Sequence, residues 1–335
     1  MTLHEKYMQR CIDLAKNGLG TTYPNPLVGS VIVYKDEIIG EGWHQKAGQP
    51  HAEVNAINSV KDQSLLAQST IYVSLEPCSH FGKTPPCSDL IIDKNIPNIV
   101  IGTVDPFAKV SGTGIQKLKD ARRKVTVGIL ENECHQLNKR FFTFHTKKRP
   151  YIILKWAESA DGFIAPLHKE KQEPVWLSNT YSRQLVHKWR SEEQAILVGT
   201  QTVIDDNPTL TVRDWNGSHP IRIVLDQNHK ISKESSIFDN QAQTILLSKN
   251  ELDFSKKIGV QMADFLFNQG IQSVIIEGGA QTLQTFIDEN IWDETRVFKG
   301  VSSLHQGTKR PEITAQHKHK EHISSDELLI YFNHD

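Results

Sequence analysis

The sequence predicts two α/β domains in tandem, and three observations carry that prediction. Short β-branched and aliphatic runs alternate with amphipathic helical stretches along the whole chain, the pattern of helices layered on a largely parallel sheet. At 335 residues the chain is longer than one core ordinarily serves. The basic, turn-prone Lys147-Lys148-Arg149-Pro150 divides it, so the domains are expected at 1–147 and 148–335.

In the first half, apolar Tyr7, Met8, Cys11, Ile12, Leu14 and Ala15 recur at helical spacing and predict a helix over 4–17, stopped by Gly18 and Gly20. Pro24-Asn25-Pro26 reads as a loop. Residues 28–34 and 37–43 read as a strand pair around Lys35-Asp36. His44 closes that pair, either at a substrate or on the surface. A helix over 53–60 and a strand over 70–75 follow, with further strands at 99–102 and 124–127. Helices are expected over 86–95, 114–122 and 131–146.

The chemistry of this half lies between His51 and Cys87. One imidazole (His51) and two thiols (Cys78, Cys87) are an N/S donor set for zinc, and three protein ligands leave a fourth position open. Glu53 stands two residues past the imidazole. Residues two apart point to opposite sides of a helix, so both face one metal only if His51 sits at the helix entrance. The strand over 70–75 delivers Cys78 to its carboxyl end, where α/β sheets place ligands. His-x-Glu followed by Pro-Cys and a second Cys is the pattern of zinc-dependent deamination, with the Glu as proton carrier rather than ligand. Two blander readings stand beside it. Cys78 and Cys87 form a disulfide, or the zinc is structural with His44 or His80 as fourth ligand.

In the second half, strands are expected at 151–156, 195–199, 220–226, 244–248, 273–277, 295–299 and 328–332, with helices at 180–190, 200–205 and 281–289. Gly278-Gly279 follows a strand and precedes a helix. That is either a tight turn or a place where a phosphate approaches a helix N-terminus. No Gly-x-Gly-x-x-Gly occurs, which argues against a standard dinucleotide fingerprint. Arg183, Arg190 and Arg213 read either as solvated charge or as phosphate forks.

Taken together, these motifs resemble the bifunctional riboflavin-biosynthesis deaminase–reductases. The resemblance rests on Pro24-Asn25-Pro26-Leu27-Val28-Gly29, His51-Ala52-Glu53, and Pro77-Cys78-Ser79-His80-Phe81-Gly82-Lys83-Thr84-Pro85-Pro86-Cys87. In the second half it rests on Lys155-x-Ala157-x-Ser159-x-Asp161-Gly162, Trp176-Leu177-Ser178, Gly199-x-x-Thr202-Val203, Asp206-x-Pro208-x-Leu210-Thr211-x-Arg213 and Glu277-Gly278-Gly279. It implies a cytidine-deaminase-like three-layer α/β/α domain followed by a dihydrofolate-reductase-like α/β domain. It further implies one zinc per chain, NADPH as hydride donor, and a phosphoribosylaminopyrimidine substrate that is deaminated and then reduced. By the same resemblance, Asn25 and Lys83 hold the base and its phosphoribosyl group. Ala157, Trp176, Thr202, Asp206, Gly279, Ala280, Gln281 and Thr282 contact NADP, and Arg190, Leu210, Arg213 and Glu277 hold the second substrate.

Departures fall in the second half. Pro174 replaces a substrate-binding Ser, Gly300-Val301-Ser302-Ser303 replaces a Gly-Ile-x-Ala-Pro segment, and 250–259 looks shortened. One further departure lies in the first half, where Phe107-Ala108 replaces Asn-Pro after Asp105-Pro106. Those of the second half bear on the reductase. They keep open a deaminase with an impaired reductase half.

Composition narrows the partners. A net charge of −1 shows no basic surplus, so no nucleic-acid partner is expected; a nucleic-acid deaminase would also use a short Cys-x-x-Cys step and leave 148–335 without a task. No run of 18 apolar residues occurs, and the start lacks a signal peptide, so no membrane contact and a cytoplasmic location are expected. Four cysteines make no disulfide framework, and Cys11 and Cys134 read as structural. Symmetric assembly is common enough to expect a homo-oligomer.

Overall fold

A computed structural model describes residues 1–81, 85–107, 111–314 and 319–333 of the chain. It divides into two compact units, Met1–Lys148 and Arg149–Asp335.

The first unit runs α1 (Leu3–Ala15), β1 (Gly29–Tyr34), β2 (Glu37–Trp43), α2 (Ala52–Ser59), β3 (Thr70–Leu75), α3 (Cys87–Asp93), β4 (Asn98–Thr103), α4 (Thr113–Asp120), β5 (Lys124–Val127), α5 (Glu131–Leu137) and α6 (Lys139–Lys147). Its sheet has the order β2-β1-β3-β4-β5. β1 is antiparallel to both neighbours, and β3, β4 and β5 are parallel. Lys35 and Asp36 both take positive φ, as a two-residue hairpin turn matched to strand twist requires.

Strand alternation builds the three layers. Ile32, Ile71, Val73, Ile99 and Ile101 pack with Ala56 and Ile57 of α2, Ile91 of α3 and Leu118 of α4. Their neighbours Val31, Val33, Tyr72 and Val100 point the other way, onto Tyr7, Met8, Cys11 and Ile12 of α1 and Cys134 of α5. Cys11 and Cys134 are thus core residues.

The expected helix over 131–146 is two helices, broken at Asn138. Its buried amide accepts from Leu27 N and donates to Leu27 O, each at 2.8 Å. A side chain that supplies a peptide-like pair to a neighbouring loop offers the backbone an alternative to helix, and the helix yields there.

The second unit runs β6 (Tyr151–Glu158), β7 (Phe163–Pro166), α7 (Thr180–Glu192), β8 (Ala195–Gly199), α8 (Thr200–Asp206), β9 (Ile221–Leu225), β10 (Thr244–Leu247), α9 (Ile258–Asn268), β11 (Ser273–Ile276), α10 (Ala280–Asp288), β12 (Glu294–Lys299), β13 (Gly307–Lys309), β14 (His319–Ile323) and β15 (Asp326–Phe332). The large sheet has the order β10-β9-β8-β11-β6-β12-β15-β14. It is parallel from β10 to β12, and β15 and β14 then continue it antiparallel. One face buries Ile152, Leu154, Leu197 and Val274 against Met262 and Leu266 of α9 and Leu283 and Phe286 of α10. On the other face Ile153, Ile275 and Phe298 meet Val186 and Trp189 of α7. β7, α9, β13 and β14 were not anticipated. The segment that looks shortened in sequence ends in α9, whose Gly259 N and Val260 N are capped by the Glu289 carboxylate.

Candidate active sites

In the first unit the donor atoms converge at the carboxyl end of β3. His51 is the N-cap of α2 with extended backbone (φ −70°, ψ 166°), which turns its ring back toward the residues that follow β3. Cys87 opens α3, and its N–H donates to Cys78 Sγ at 3.3 Å. His51 Nδ1 lies 3.6 Å from Cys78 Sγ and 3.3 Å from Cys87 Sγ. All three donor atoms fall within 4.8 Å of one another, and among the described residues this is the one group of His, Cys, Asp or Glu arranged to hold a metal. Zinc bonds of ~2.3 Å to sulfur and ~2.0 Å to nitrogen at a tetrahedral angle put N and S about 3.5 Å apart, so the donor set fits that ion. All four cysteines are free thiols, which removes the disulfide reading.

Neither alternative fourth ligand joins the group. His80 is exposed. His44 is buried, not on the surface, and both its nitrogens are engaged: Nδ1 with Pro50 O at 3.2 Å, and Nε2 with Asn25 Nδ2 at 3.1 Å. A carbonyl can only accept, so Nδ1 carries the proton and Nε2 accepts from the Asn25 amide. Burial lowers its pKa and keeps this ring neutral. Asn25 Oδ1 is thereby turned away from His44. The signal for His44 was present in the strand period: Gly40, Gly42 and His44 share the buried face of β2. Cβ atoms at Gly40 and Gly42 would lie 2.6 Å from Ala56 O and Ala56 N, so glycine lets α2 close onto β2 and brings His51 beside His44, with ring centroids 5.5 Å apart.

Glu53 lies in the first turn of α2, 3% exposed. Burial pushes its carboxyl up to about 7, with the Cys78 sulfur adding to the rise. A group at that value both takes and gives a proton at neutral pH. Cys78 is held well below the ordinary thiol range by the bond from the Cys87 thiol and by His51. Asp105, after β4, is buried, and that burial raises its carboxyl to about 6. Lys83 lies outside the described residues.

In the second unit the carboxyl ends of β6, β8 and β11 line one edge of the sheet. Gly279 takes φ +51° as N-cap of α10, a conformation glycine adopts readily. Cβ atoms would lie 2.9 Å from Val198 Cα at Gly278 and 2.6 Å from Thr282 Oγ1 at Gly199. These glycines bring Thr202 and Gly279 together with Ala280-Gln281-Thr282 at the start of α10, whose N-cap Gly279 supplies no side chain to the first-turn N–H groups. Ala157, the last residue but one of β6, is partly buried on the strand next to β11. Trp176 is 56% exposed, with the Arg183 guanidinium 4.4 Å above its ring, so Arg183 is not merely solvated. The Asp206 carboxylate pairs with Lys169.

Arg190 is partly buried and forked onto Glu277, Nη2 to Oε2 at 2.8 Å and Nε to Oε1 at 3.4 Å. Lys155 Nζ stands 3.9 Å from the same carboxylate. The sequence quoted Lys155 without a role; a lysine inside a buried strand was the available signal. Burial alone would raise the Glu277 carboxyl, but Arg190 and then Lys155 outweigh it and hold it at about 2. Leu210 sits at φ +55°, left-handed backbone that a leucine rarely adopts. Arg213 lies in the same loop and donates to Thr209 Oγ1.

Fold and donor set define the class: a cytidine-deaminase-type zinc domain joined to a second α/β domain built on a mostly parallel sheet. Residues 1–103 match the cytidine and deoxycytidylate deaminase zinc-binding region, and residues 150–317 match the RibD C-terminal domain. The riboflavin biosynthesis protein RibD of Aquifex aeolicus is 37% identical over 98% of this chain and 98% of its own length. That of Escherichia coli K12 is 40% identical over 97% and 98%. A crystal structure of a Thermotoga maritima diaminohydroxyphosphoribosylaminopyrimidine deaminase/5-amino-6-(5-phosphoribosylamino)uracil reductase superposes with a TM-score of 0.90 at 35% identity, covering 99% of both chains. The chain belongs to the RibD family of bifunctional riboflavin-biosynthesis enzymes. It is a zinc-dependent deaminase and an NADPH-dependent reductase, and nothing supports an impaired second half.

Proposed function

We propose that the deaminase half, residues 1–147, uses His51, Cys78 and Cys87 as zinc ligands, Glu53 as proton carrier, and Asn25 to read the pyrimidine edge. The observation that carries this reading is the three-donor group with the buried Glu53 beside it in the first turn of α2. Zinc, when bound, supplies the Lewis acidity that makes water a nucleophile at neutral pH. Glu53 takes the proton of that water and delivers it to the leaving amine, which departs as ammonia. Asn25, oriented by His44, presents Oδ1 as an acceptor to the ring.

In the reductase half, 148–335, the cradle of Thr202, Gly279, Ala280, Gln281 and Thr282, with Ala157, Trp176 and Asp206, holds NADPH. When bound, the reduced nicotinamide would supply a hydride to C1′ of the ribosylamine, and the ring oxygen would take a proton as the sugar opens to a ribityl chain. Arg190, Leu210, Arg213 and Glu277 orient that substrate. Deamination comes first. The reading extends to a cytoplasmic homo-oligomer acting without nucleic acid; four free thiols and a net charge of −1 support the location and the lack of a polyanion partner.

The test supplies the diaminopyrimidinone ribosylamine phosphate to zinc-loaded protein and follows ammonia, first without and then with NADPH. Wild type should release ammonia before any NADPH is consumed. Glu53→Gln should keep its zinc and release none, while still oxidising NADPH with the deaminated substrate. Turnover by that variant would reject Glu53 as the proton carrier.

A further inference from the structure

We propose that Glu76 is a positioning residue for deamination: its carboxylate ties the segment carrying Cys78 to the N-terminus of α4 and to the loop at Asp105. Glu76 follows β3 directly and is buried. Four backbone N–H groups donate to it. Oε1 accepts from Gly114 at 2.9 Å and Ile115 at 3.2 Å, and Oε2 accepts from Gly112 at 2.9 Å and Asp105 at 3.3 Å.

Three of those donors belong to the start of α4. Its N-cap is Gly112, in left-handed backbone at φ +76°, and it offers no side chain to the first-turn amides. A cap must therefore come from elsewhere, and a carboxylate also suits the positive end of the helix dipole. The cap comes from the residue two before Cys78. A local Ser or Asp would have stabilised the helix alone. Glu76 stabilises it only while the strand end carrying Cys78 stays in register.

Two further contacts close the same junction. A Cβ at Gly114 would lie 2.1 Å from Pro77 O, so glycine lets the helix start abut the peptide that precedes Cys78. Ser79 Oγ meets Thr113 Oγ1 at 2.6 Å on the far side of Cys78. The thiol is thus flanked at 76, 77 and 79 by ties to one helix. The fourth donor, Asp105 N, fixes the start of the loop after β4, so one carboxylate sets the metal-side strand and the adjoining loop together.

The inference rests on Cys78 being a zinc ligand. It is tested by competing a chromophoric chelator against the full-length protein for zinc, and by the cobalt–thiolate charge-transfer band of the cobalt-loaded chain. Glu76→Gln is isosteric, but its NH2 must face one of the two N–H pairs, so two of the four bonds are lost. Partners of this kind, one step behind a ligand, ordinarily cost about 10-fold or more in metal affinity or activity when removed. The variant should lose about tenfold in zinc affinity and shift the cobalt band, with NADPH oxidation on the deaminated substrate unchanged. Wild-type affinity and an unshifted band, whatever the loss of thermal stability, would reduce Glu76 to a helix cap and overturn the proposal. Should Glu76→Gln fail to fold, Ser79→Ala cuts the neighbouring tie alone and is read the same way: a loss of about threefold supports the proposal, and wild-type affinity and band overturn it. Wild-type protein that binds no cobalt would instead reject the ligand assignment beneath it.

Discussion

Asn138 pairs with the backbone of Leu27 in both directions, Leu27 N to Oδ1 and Nδ2 to Leu27 O, each at 2.8 Å. The pair is buried and joins the α5–α6 break to the loop that presents Asn25 two residues earlier. Asn138→Ala strands two backbone groups, at about 1–3 kcal/mol each. Urea unfolding of this variant should show that loss, and the KM for deamination should rise as the loop loosens. Asn138→Asp keeps the acceptor for Leu27 N but sets a carboxylate against Leu27 O, so its loss should be no smaller. An unchanged unfolding midpoint in both would reject the pairing as a support.

His44 orients Asn25 rather than binding metal, because Nδ1 is spent on Pro50 O and Nε2 on the Asn25 amide. His44→Ala should keep full zinc content while raising KM for the deamination substrate about tenfold, the worth of one hydrogen bond at a binding edge. Loss of zinc from this variant, measured by metal analysis after gel filtration, would return His44 to the ligand sphere.

What was legible in the sequence follows from what chemistry restricts. Few residue types bind zinc, so His51, Cys78 and Cys87 announced themselves, and the helix period required His51 to stand at a helix entrance, as it does. Burial of a polar residue is harder to read. His44 follows a strand whose buried positions are glycines, so its face was marked by the two-residue period alone and by no apolar side chain. Asn138 sits in a helical pattern, and only a partner 111 residues away explains the break. β14 is polar and mostly exposed, so it is made a strand by its ladder with β15 rather than by propensity. α9 has apolar residues on too many sides for its period to separate it from a buried strand.

Glu277 makes the reductase half acid-sensitive in a defined window. Its folded carboxyl stands at about 2 against an ordinary 4.5. The unfolded chain therefore takes up this proton more readily than the folded one. The stabilisation is fully present above about 4.5 and is lost as pH falls through about 2. Glu277→Gln should lower stability at neutral pH by about 2–3 kcal/mol, because Arg190 and Lys155, both only partly exposed, lose their counter-charge. It should also flatten the dependence of stability on pH between 4.5 and 2. Urea unfolding followed by tryptophan fluorescence reports this half, since Trp156, Trp176, Trp189, Trp215 and Trp292 lie in it and only Trp43 does not. Parallel curves for variant and wild type would show that another group governs the acid limb.

Gly300 tests the segment where the sequence departs most from the family pattern. Its N–H donates to Glu158 O at 2.8 Å, Ala160 N donates to Ser302 O at 2.8 Å, and Asp161 accepts from Leu304 N and His305 N. The replaced segment is therefore anchored at both ends to β6 and the turn after it. A Cβ at Gly300 would lie 1.9 Å from Leu177 O, a backbone atom that cannot swing aside as a side chain would. Gly300→Ala must displace the peptide of Leu177, and Trp176, the exposed ring expected against the cofactor, moves with it. The peptide must yield by about an ångström or more, and strain of this kind costs about 1–3 kcal/mol, felt first at the binding wall. The variant should release ammonia at the wild-type rate while its KM for NADPH rises about tenfold. Equal KM values would mean that Leu177 and Trp176 yield without consequence, and that the cofactor does not depend on where Gly300 holds them.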